Sequence, residues 1–307
     1  MKIAGRVVAT DNGGQIEMKR PSIIACAAAI TLFCGFGTSA RPAPAAADTL
    51  SPAILDSGFA ELYKLNFQGA RAEFLSYEKQ QPGDPLGKVA EAASYLYEEF
   101  NEKGVFTSAF FLDDAKFLGG VDGKPSENRN DAFMGVNQQA REMAQGLLKE
   151  NPRDAHGLLV LTMADGMESD YDALIEKKQL AGLTMMRRAD SEASLLLSID
   201  PNAQDAYLAL GASNYVIGSL PGYKRIFLKI GGVHGDKERG IELMQQAADH
   251  GHYLKPFAQI LLALGYEREH RFDRARVLLT DLTVEFPENP LFAHELSLIQ
   301  TDPPRKR

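Results

Sequence analysis

Few side chains in this sequence are spaced for catalysis or metal binding. His250 and His252 lie two residues apart, whereas a helical metal pair needs ligands four residues apart. Residues 231–235 have the glycine content of a phosphate-binding loop but lack its Gly-Lys-Ser/Thr ending. Ser191 and Ser198 have no neighbouring base that would activate a nucleophile. The sequence therefore predicts no catalytic residue, no metal site and no cofactor.

The beginning of the chain predicts export. From Met18 it has a basic start at Lys19 and Arg20, an uncharged apolar stretch over residues 23–37 and small-residue exits ending at Ala47. This is the order of a secretory signal peptide. We expect residues 1–47 to be a signal peptide with an over-long start, Met18 being the true start, and residues 48–307 to be one periplasmic domain. The alternative is an uncleaved anchor that faces the periplasm, because residues 23–40 are long enough to span a membrane.

Cysteine content and charge exclude several kinds of chemistry. The chain has two cysteines, Cys26 and Cys34, and both lie in the predicted signal peptide. The exported domain would therefore have no disulfide, thiol nucleophile or thiolate metal site. The net charge of −8 argues against a nucleic-acid partner, since phosphate binding needs a cationic surface.

The elements that must position any binding residue are helices, because small residues and prolines recur at a fixed spacing. Twelve residues separate Ala275 from Pro287, and the same spacing recurs three times earlier in the chain. A small residue at a helix crossing lets two backbones approach, and a proline stops the helix before the next one begins. Within residues 256–287, Ala263 and Tyr266 fall on a first helix, and Phe272 and Ala275 on a second.

This order of small, aromatic, aromatic, small and proline positions resembles the tetratricopeptide repeat, a helix-turn-helix unit of 34 residues. The resemblance implies an all-α solenoid of about five divergent units with a capping helix over residues 291–299. The whole domain is similar to exported bacterial proteins of this class and, more faintly, to the periplasmic T-component of TRAP-type transporters. The positions that define the repeats are Gly58, Ala70, Pro82, Ala140, Pro152, Ala189, Pro201, Tyr207, Gly211, Ala263, Tyr266, Phe272, Ala275 and Pro287.

The regular spacing fails in three units, where extra residues separate the first helix from the second. All three insertions should emerge on one edge of the solenoid, and clustered insertions often build the working face of a repeat protein. Their aromatic side chains either pack as core or lid, or line a groove for a peptide or apolar small molecule. The candidate binding residues on this inserted edge are Phe106, Phe110, Phe111, Phe117, Tyr171, Tyr223, Arg225 and Phe227.

The absence of catalytic groups and the repeat pattern predict a non-enzymatic scaffold that binds a protein or peptide partner in its groove. A second hypothesis is a periplasmic solute-binding accessory whose insertions close a small-molecule cavity. We expect a closed cavity lined by Phe110, Phe111, Tyr223 and Phe227 in the second case. In the first case the groove should be open and these residues should be buried under a lid. Membrane association is expected only if the N-terminal segment is not cleaved.

Overall fold

A computed structural model describes residues 47–223, 225–226 and 232–301. The predicted signal peptide, apart from Ala47, and the six C-terminal residues lie outside these ranges. Within the described residues the chain forms α-helices and no strand. The helices are α1 (Ala47–Tyr63), α2 (Phe67–Gln80), α3 (Pro85–Glu102), α4 (Ser108–Phe111), α5 (Asp114–Gly119), α6 (Glu127–Glu150), α7 (Ala155–Asp170), α8 (Gln179–Ile199), α9 (Ala206–Ser219), α10 (Lys237–His250), α11 (Lys255–Arg268), α12 (Phe272–Glu285) and α13 (Pro290–Thr301).

These helices pack as the five predicted pairs. The pairs α1–α2, α3–α6, α7–α8, α9–α10 and α11–α12 are each in extensive contact, and α13 covers α12 at the end of the array. The prediction of an all-α solenoid of five helix-turn-helix units with a capping helix is therefore confirmed. The capping helix extends slightly beyond the predicted residues 291–299 at both ends.

Four of the five units are followed by an exposed turn that begins with a proline. Pro82, Pro152, Pro201 and Pro287 all lie in such turns, directly after the second helix of a unit. Two residues after three of them, an acidic or amide side chain caps the next helix: Asp84 accepts from Leu86 N, Asp154 from Gly157 N and Asn289 from Leu291 N. The proline ends one helix because it cannot continue the hydrogen-bond ladder, and the cap satisfies the free N–H groups of the next helix.

The small residues of the repeat pattern lie where helices cross. Gly58, Ala70, Ala140, Ala189, Ala263 and Ala275 are buried, as is Tyr266, while Tyr207 and Phe272 are partly covered. The closest approach joins α9 and α10: a Cβ on Gly211 would lie 2.6 Å from Met244 N and 3.0 Å from Gly240 O. No side chain larger than hydrogen fits there unless the two helices separate.

The first and last units of the array are in direct contact. The Tyr63 hydroxyl donates to the backbone oxygen of Tyr253 at 2.8 Å, and the Asn289 amide donates to the backbone oxygen of Tyr63 at 2.8 Å. The rings of Phe59 and Tyr253 lie 4.9 Å apart between centroids. Contacts between residues about 190 to 226 positions apart therefore fix the curvature of the array, which sequence-adjacent packing alone would leave free.

The α9–α10 crossing gives a stability prediction with an internal control. Gly211→Ala should lower the free energy of unfolding by about 1–3 kcal/mol, because the new methyl group overlaps the backbone of α10. Gly135 lies on the exposed face of α6, and a Cβ there meets no atom within 4 Å. Gly135→Ala should therefore raise the free energy of unfolding by up to about 1 kcal/mol, because alanine favours a helix more than glycine does. Urea unfolding of both variants tests this. Equal stabilities would contradict the tight crossing.

Candidate functional site

The candidate site is a cavity between the first helices of units two to five. Its volume is about 90 Å³, and its walls come from α3, α7, α9 and α11, with α8 closing one side. Most of the wall is apolar: Leu96 and Tyr97 of α3, Leu159, Met163 and Met167 of α7, Met186 of α8, Leu208 of α9, and Phe257 and Leu261 of α11. Because four units contribute, the cavity exists only when the array is assembled.

Most polar groups on this wall have partners within the protein. Asp205 accepts hydrogen bonds from the backbone N–H groups of His252, Tyr253 and Leu254, at 2.8, 3.1 and 3.1 Å. Its carboxylate therefore caps the residues that lead into α11, where N–H groups favour a negative charge. The hydroxyl groups of Thr162 and Ser213 donate to backbone oxygens of their own helices. These groups are held by the fold and add no unsatisfied charge to the cavity.

Asp170 is different, because its side chain makes no hydrogen bond or ion pair with any described residue. It ends α7, where the chain passes into a π-helical turn, Tyr171–Ile175, a deviation that is frequent at functional sites. The side chain lines the cavity and is partly covered by protein. This burial raises the pKa of the Asp170 carboxyl to about 7, since a charge is poorly solvated there.

Asp190 of α8 is the other carboxyl on the wall without a compensating charge. Burial raises its pKa to about 6, and an interaction with the Ser213 hydroxyl partly opposes that rise. One oxygen of Asp190 is inaccessible and has no hydrogen-bond partner in the described structure. Among the described residues, no Lys, Arg or His side chain lines the cavity. Two acidic groups therefore share an apolar site, and its described walls hold no cation to balance them.

A buried ion network lies beside the cavity and joins α6 of unit two to α7 and α8 of unit three, the unit that matches the repeat pattern least well. The Arg141 Nε atom donates to Asp165 at 2.8 Å, and its Nη2 atom donates to Glu168 at 2.5 Å. The Arg188 Nε atom lies 2.9 Å from the other Asp165 oxygen. Burial raises the pKa of the Asp165 carboxyl, and the charge and hydrogen bond of Arg141 counteract this. The sequence holds one trace of this network, since Thr162 and Asp165 occupy positions where a small residue and an aromatic ring belong.

The predicted binding residues lie elsewhere. Phe106, Phe110, Phe111, Phe117 and Tyr171 are all buried, and none of them lines the cavity. Their rings pack on each other and on neighbouring aromatic residues, with Phe111 and Phe117 at 5.4 Å and Tyr171 and Phe133 at 5.0 Å. This placement matches the core or lid alternative. No ligand tests their predicted binding role.

The remaining predicted site residues belong to the third insertion. Tyr223 is 63% exposed, and Arg225 is exposed with its guanidinium donating to Gly218 O at 3.3 Å. Phe227 lies outside the described residues. Tyr223 and Arg225 do not line the cavity, so the predicted lining by aromatic residues of the insertions differs from the one observed. The reason is that the first insertion packs its rings against other helices, with Phe106 next to Tyr97 and Phe257.

That first insertion, with α4 and α5, fastens the middle of the array to its end. Ser108 N donates to Glu295 of α13 at 3.0 Å. The Arg268 guanidinium of α11 binds Phe111 O and Asp114, and stacks 4.4 Å from the centroid of the Phe117 ring. Glu267 is buried beside this junction, and burial, with the nearby charge of Glu295, raises its pKa to about 7.

Two further findings concern the described residues as a whole. No group of three or more His, Cys, Asp or Glu side chains among them is arranged to hold a metal ion. None of the described helices combines the length and the apolar character that crossing a membrane requires.

Comparison with known proteins adds little to this picture. No known protein family matches the sequence, and no curated protein matches it. Among solved structures, the chain is similar to a thermophilic TPR protein of Thermus thermophilus, with 16% sequence identity, 81% of this chain and 98% of that chain covered, and a TM-score of 0.44. At this level the similarity supports no inference about function, so the helical-repeat description rests on the helix pairs themselves.

The buried ion network predicts a large loss of stability when one partner is removed. Arg141→Met should lower the free energy of unfolding by about 3–5 kcal/mol, because Asp165 then keeps a buried charge with only Arg188 to balance it. The control is Arg187→Met on α8, where the arginine is exposed, with an expected change within about 0.5 kcal/mol. Urea unfolding at pH 7 measures both. A loss for Arg141→Met no larger than that of the control would contradict the network.

The junction of the first insertion predicts a pH dependence. The folded-state pKa of Glu267 lies above its unfolded value, so this residue favours folding below about pH 4.5 and loses that contribution as the pH rises through about 7. Glu267→Gln should therefore exceed the wild type in unfolding free energy at pH 8 by up to about 3 kcal/mol, with little difference at pH 4.5. The exposed Glu150→Gln is the control, and a constant offset at both pH values would refute the prediction.

Proposed function

We propose that this protein is a non-enzymatic, exported helical-repeat scaffold that binds a protein or peptide partner by taking one side chain of it into the cavity. The observation that supports this most is that the cavity lies on the first helices of four consecutive units. A binding site is expected in a concave, mostly apolar place with a few polar groups, and this cavity has that composition.

The size of the cavity bears on which partner it accepts. Pockets that enclose a whole small molecule have volumes of roughly 300–1,000 Å³, several times the 90 Å³ found here. A site of this size suits a single side chain. The rest of a bound peptide would lie outside it. Size therefore favours a partner that inserts one residue.

The second candidate, a solute-binding accessory, keeps one observation in its favour. The first and last units touch through Tyr63 and Tyr253, and the first insertion is fastened to α11 and α13. Such cross-links would hold a preformed cavity in place, as a solute receptor requires. The small volume argues against a solute of metabolite size, so we rank this function second.

Export and processing are part of the proposal and have a direct test. The basic start, apolar stretch and small-residue exits before Ala47 support secretion. N-terminal sequencing of the protein recovered from its native envelope should give a first residue close to Asp48. A first residue before Arg41 would contradict cleavage and support the anchored alternative.

Filling the cavity tests the proposed function itself. A library of short linear peptides is panned against the full-length wild type, Ala209→Phe and Ala293→Phe. Ala209 lines the cavity on α9, so its replacement fills the space, whereas Ala293 is exposed on α13 and serves as the control. We expect enriched peptides to bind the wild type and Ala293→Phe and to lose at least about tenfold in affinity for Ala209→Phe.

Circular dichroism checks that Ala209→Phe stays helical, and a helical variant with undiminished peptide affinity would contradict the proposal. If the wild type enriches no peptide but binds a small molecule that Ala209→Phe does not bind, the result would support the solute-binding function and contradict the scaffold function.

A further inference from the structure

The unbalanced carboxyl groups of the cavity call for an explanation that packing does not supply. A buried carboxyl group with no hydrogen bond or counter-ion destabilises the fold, and replacing it with an apolar side chain would remove that cost. Asp205 on the same wall shows how the fold satisfies a carboxylate, with three backbone N–H donors. Asp170 has no such donor among the described residues. The Asp170 carboxyl group can therefore bind a ligand that enters the cavity.

We propose that the cavity is a receptor for one primary ammonium group on an aliphatic stem, with Asp170 as its counter-ion and Asp190 as a second acceptor. This inference rests on the proposed function and names the chemical group that the cavity takes. A lysine side chain of a partner peptide and a free aliphatic amine both carry this group. The two sources share the same chemistry, and the experiment below separates them.

Charge complementarity favours a cation over other ligands. The walls, as far as the structure describes them, contain no Lys, Arg or His, so an anionic ligand would meet only acidic groups. The ammonium group has three N–H donors and no acceptor. Asp170 supplies carboxyl oxygens without partners in the described part of the chain, and Asp190 places a second carboxyl group on the same wall. A guanidinium group is planar and presents five donors in a fixed fork, whereas an ammonium group has three donors that rotate to suit the acceptors present.

The apolar wall matches the stem of such a ligand. Met163, Met167 and Met186 line the cavity from two helices, and Leu159 and Leu208 lie on its other sides. Methionine side chains are flexible and adapt to irregular apolar shapes. A four-carbon stem can therefore lie along these residues while its charged end reaches Asp170. The same division between stem and charged head governs how lysine side chains are buried in proteins.

Binding of an ammonium group should depend on pH in a defined direction. The group needs the carboxylate form of Asp170, whose pKa burial raises to about 7, while an alkyl ammonium stays charged below about pH 10. The other titratable groups on the wall are Tyr97 of α3, Asp190 of α8 and Asp205 at the start of α9. The pKa of Tyr97 is raised well above its usual value by burial, so Tyr97 stays neutral. Affinity should therefore rise between pH 5 and pH 8.

The test compares two probes of nearly equal size on the full-length protein. Butylammonium chloride and 1-butanol are titrated at pH 8 while the methyl resonances of the methionines are followed by NMR. We expect the methyl groups of Met163, Met167 and Met186 to shift with both probes. Butylammonium should bind at least about tenfold more tightly, as expected for hydrogen bonds to a charged group. Its affinity should fall at pH 5, whereas that of 1-butanol should not change.

Variants identify the counter-ion. Asp170→Asn should reduce the preference for butylammonium over 1-butanol to near unity and leave 1-butanol binding intact, which shows that the cavity is still formed. Asp281→Asn, at an exposed position on α12, is the matched control and should keep the preference. An undiminished preference in Asp170→Asn, or equal affinities of the two probes for the wild type, would overturn the assignment of an ammonium site.

A last pair of probes separates the two sources of the group. A capped pentapeptide with one central lysine among alanines is compared with the same peptide acetylated on that lysine. Tighter binding of the unmodified peptide than of butylammonium would support a lysine side chain of a partner. Binding of butylammonium without binding of the peptide would keep the ammonium site but contradict the scaffold function. Peptides that bind the wild type, lose affinity for Ala209→Phe and keep their affinity for Asp170→Asn would support the scaffold function and refute the ammonium site alone.

Discussion

The close approach of paired helices is the constraint on which the rest of this structure depends. At the tightest crossing, Gly211 and Gly240 bring the backbones of α9 and α10 so near that a single added methyl group would overlap Met244 N. Elsewhere buried alanines have the same role. Because each pair is this compact, five units and a cap fit into a curved array, and the curvature brings Tyr63 of the first unit to Tyr253 near the last. The cavity between the first helices follows from that curvature.

The first insertion stabilises the array by connecting helices that are distant in the chain. The chain between α3 and α6 buries four phenylalanines at the ends of other helices and is tied to α11 by Arg268 and to α13 by Glu295. Long-range contacts of this kind oppose the bending that solenoids with only neighbour contacts permit. A preformed cavity needs such bracing, since an apolar site loses affinity when its walls must first be ordered. The insertions therefore support the site without lining it.

The carboxyl groups in and near the cavity are buried in two different ways. Asp165 and Asp205 have partners within the fold: Asp165 pairs with the cations Arg141 and Arg188, and Asp205 accepts from three backbone N–H groups. Burial raises the pKa values of Asp170 and Asp190, and the described residues that line the cavity include no cation to offset this rise. Groups perturbed by burial in a concave site are candidates for function. The contrast within one unit is what makes Asp170 informative, since its neighbours show that the fold could have balanced it.

The sequence by itself determined the helices, their pairing, the positions of the turns and the places where extra residues enter. Those features are local: a proline stops a helix at its own position, and a small residue fits a crossing a fixed distance away. The mismatch at Thr162 and Asp165 was visible too, but its partners, Arg141 and Arg188, were not. Only the tertiary structure decided where the phenylalanines of the insertion go and which side chains line the cavity. The walls of the cavity come from four helices that are distant in the chain. No spacing rule relates Tyr97, Asp170 and Phe257, so only the folded array could bring them together.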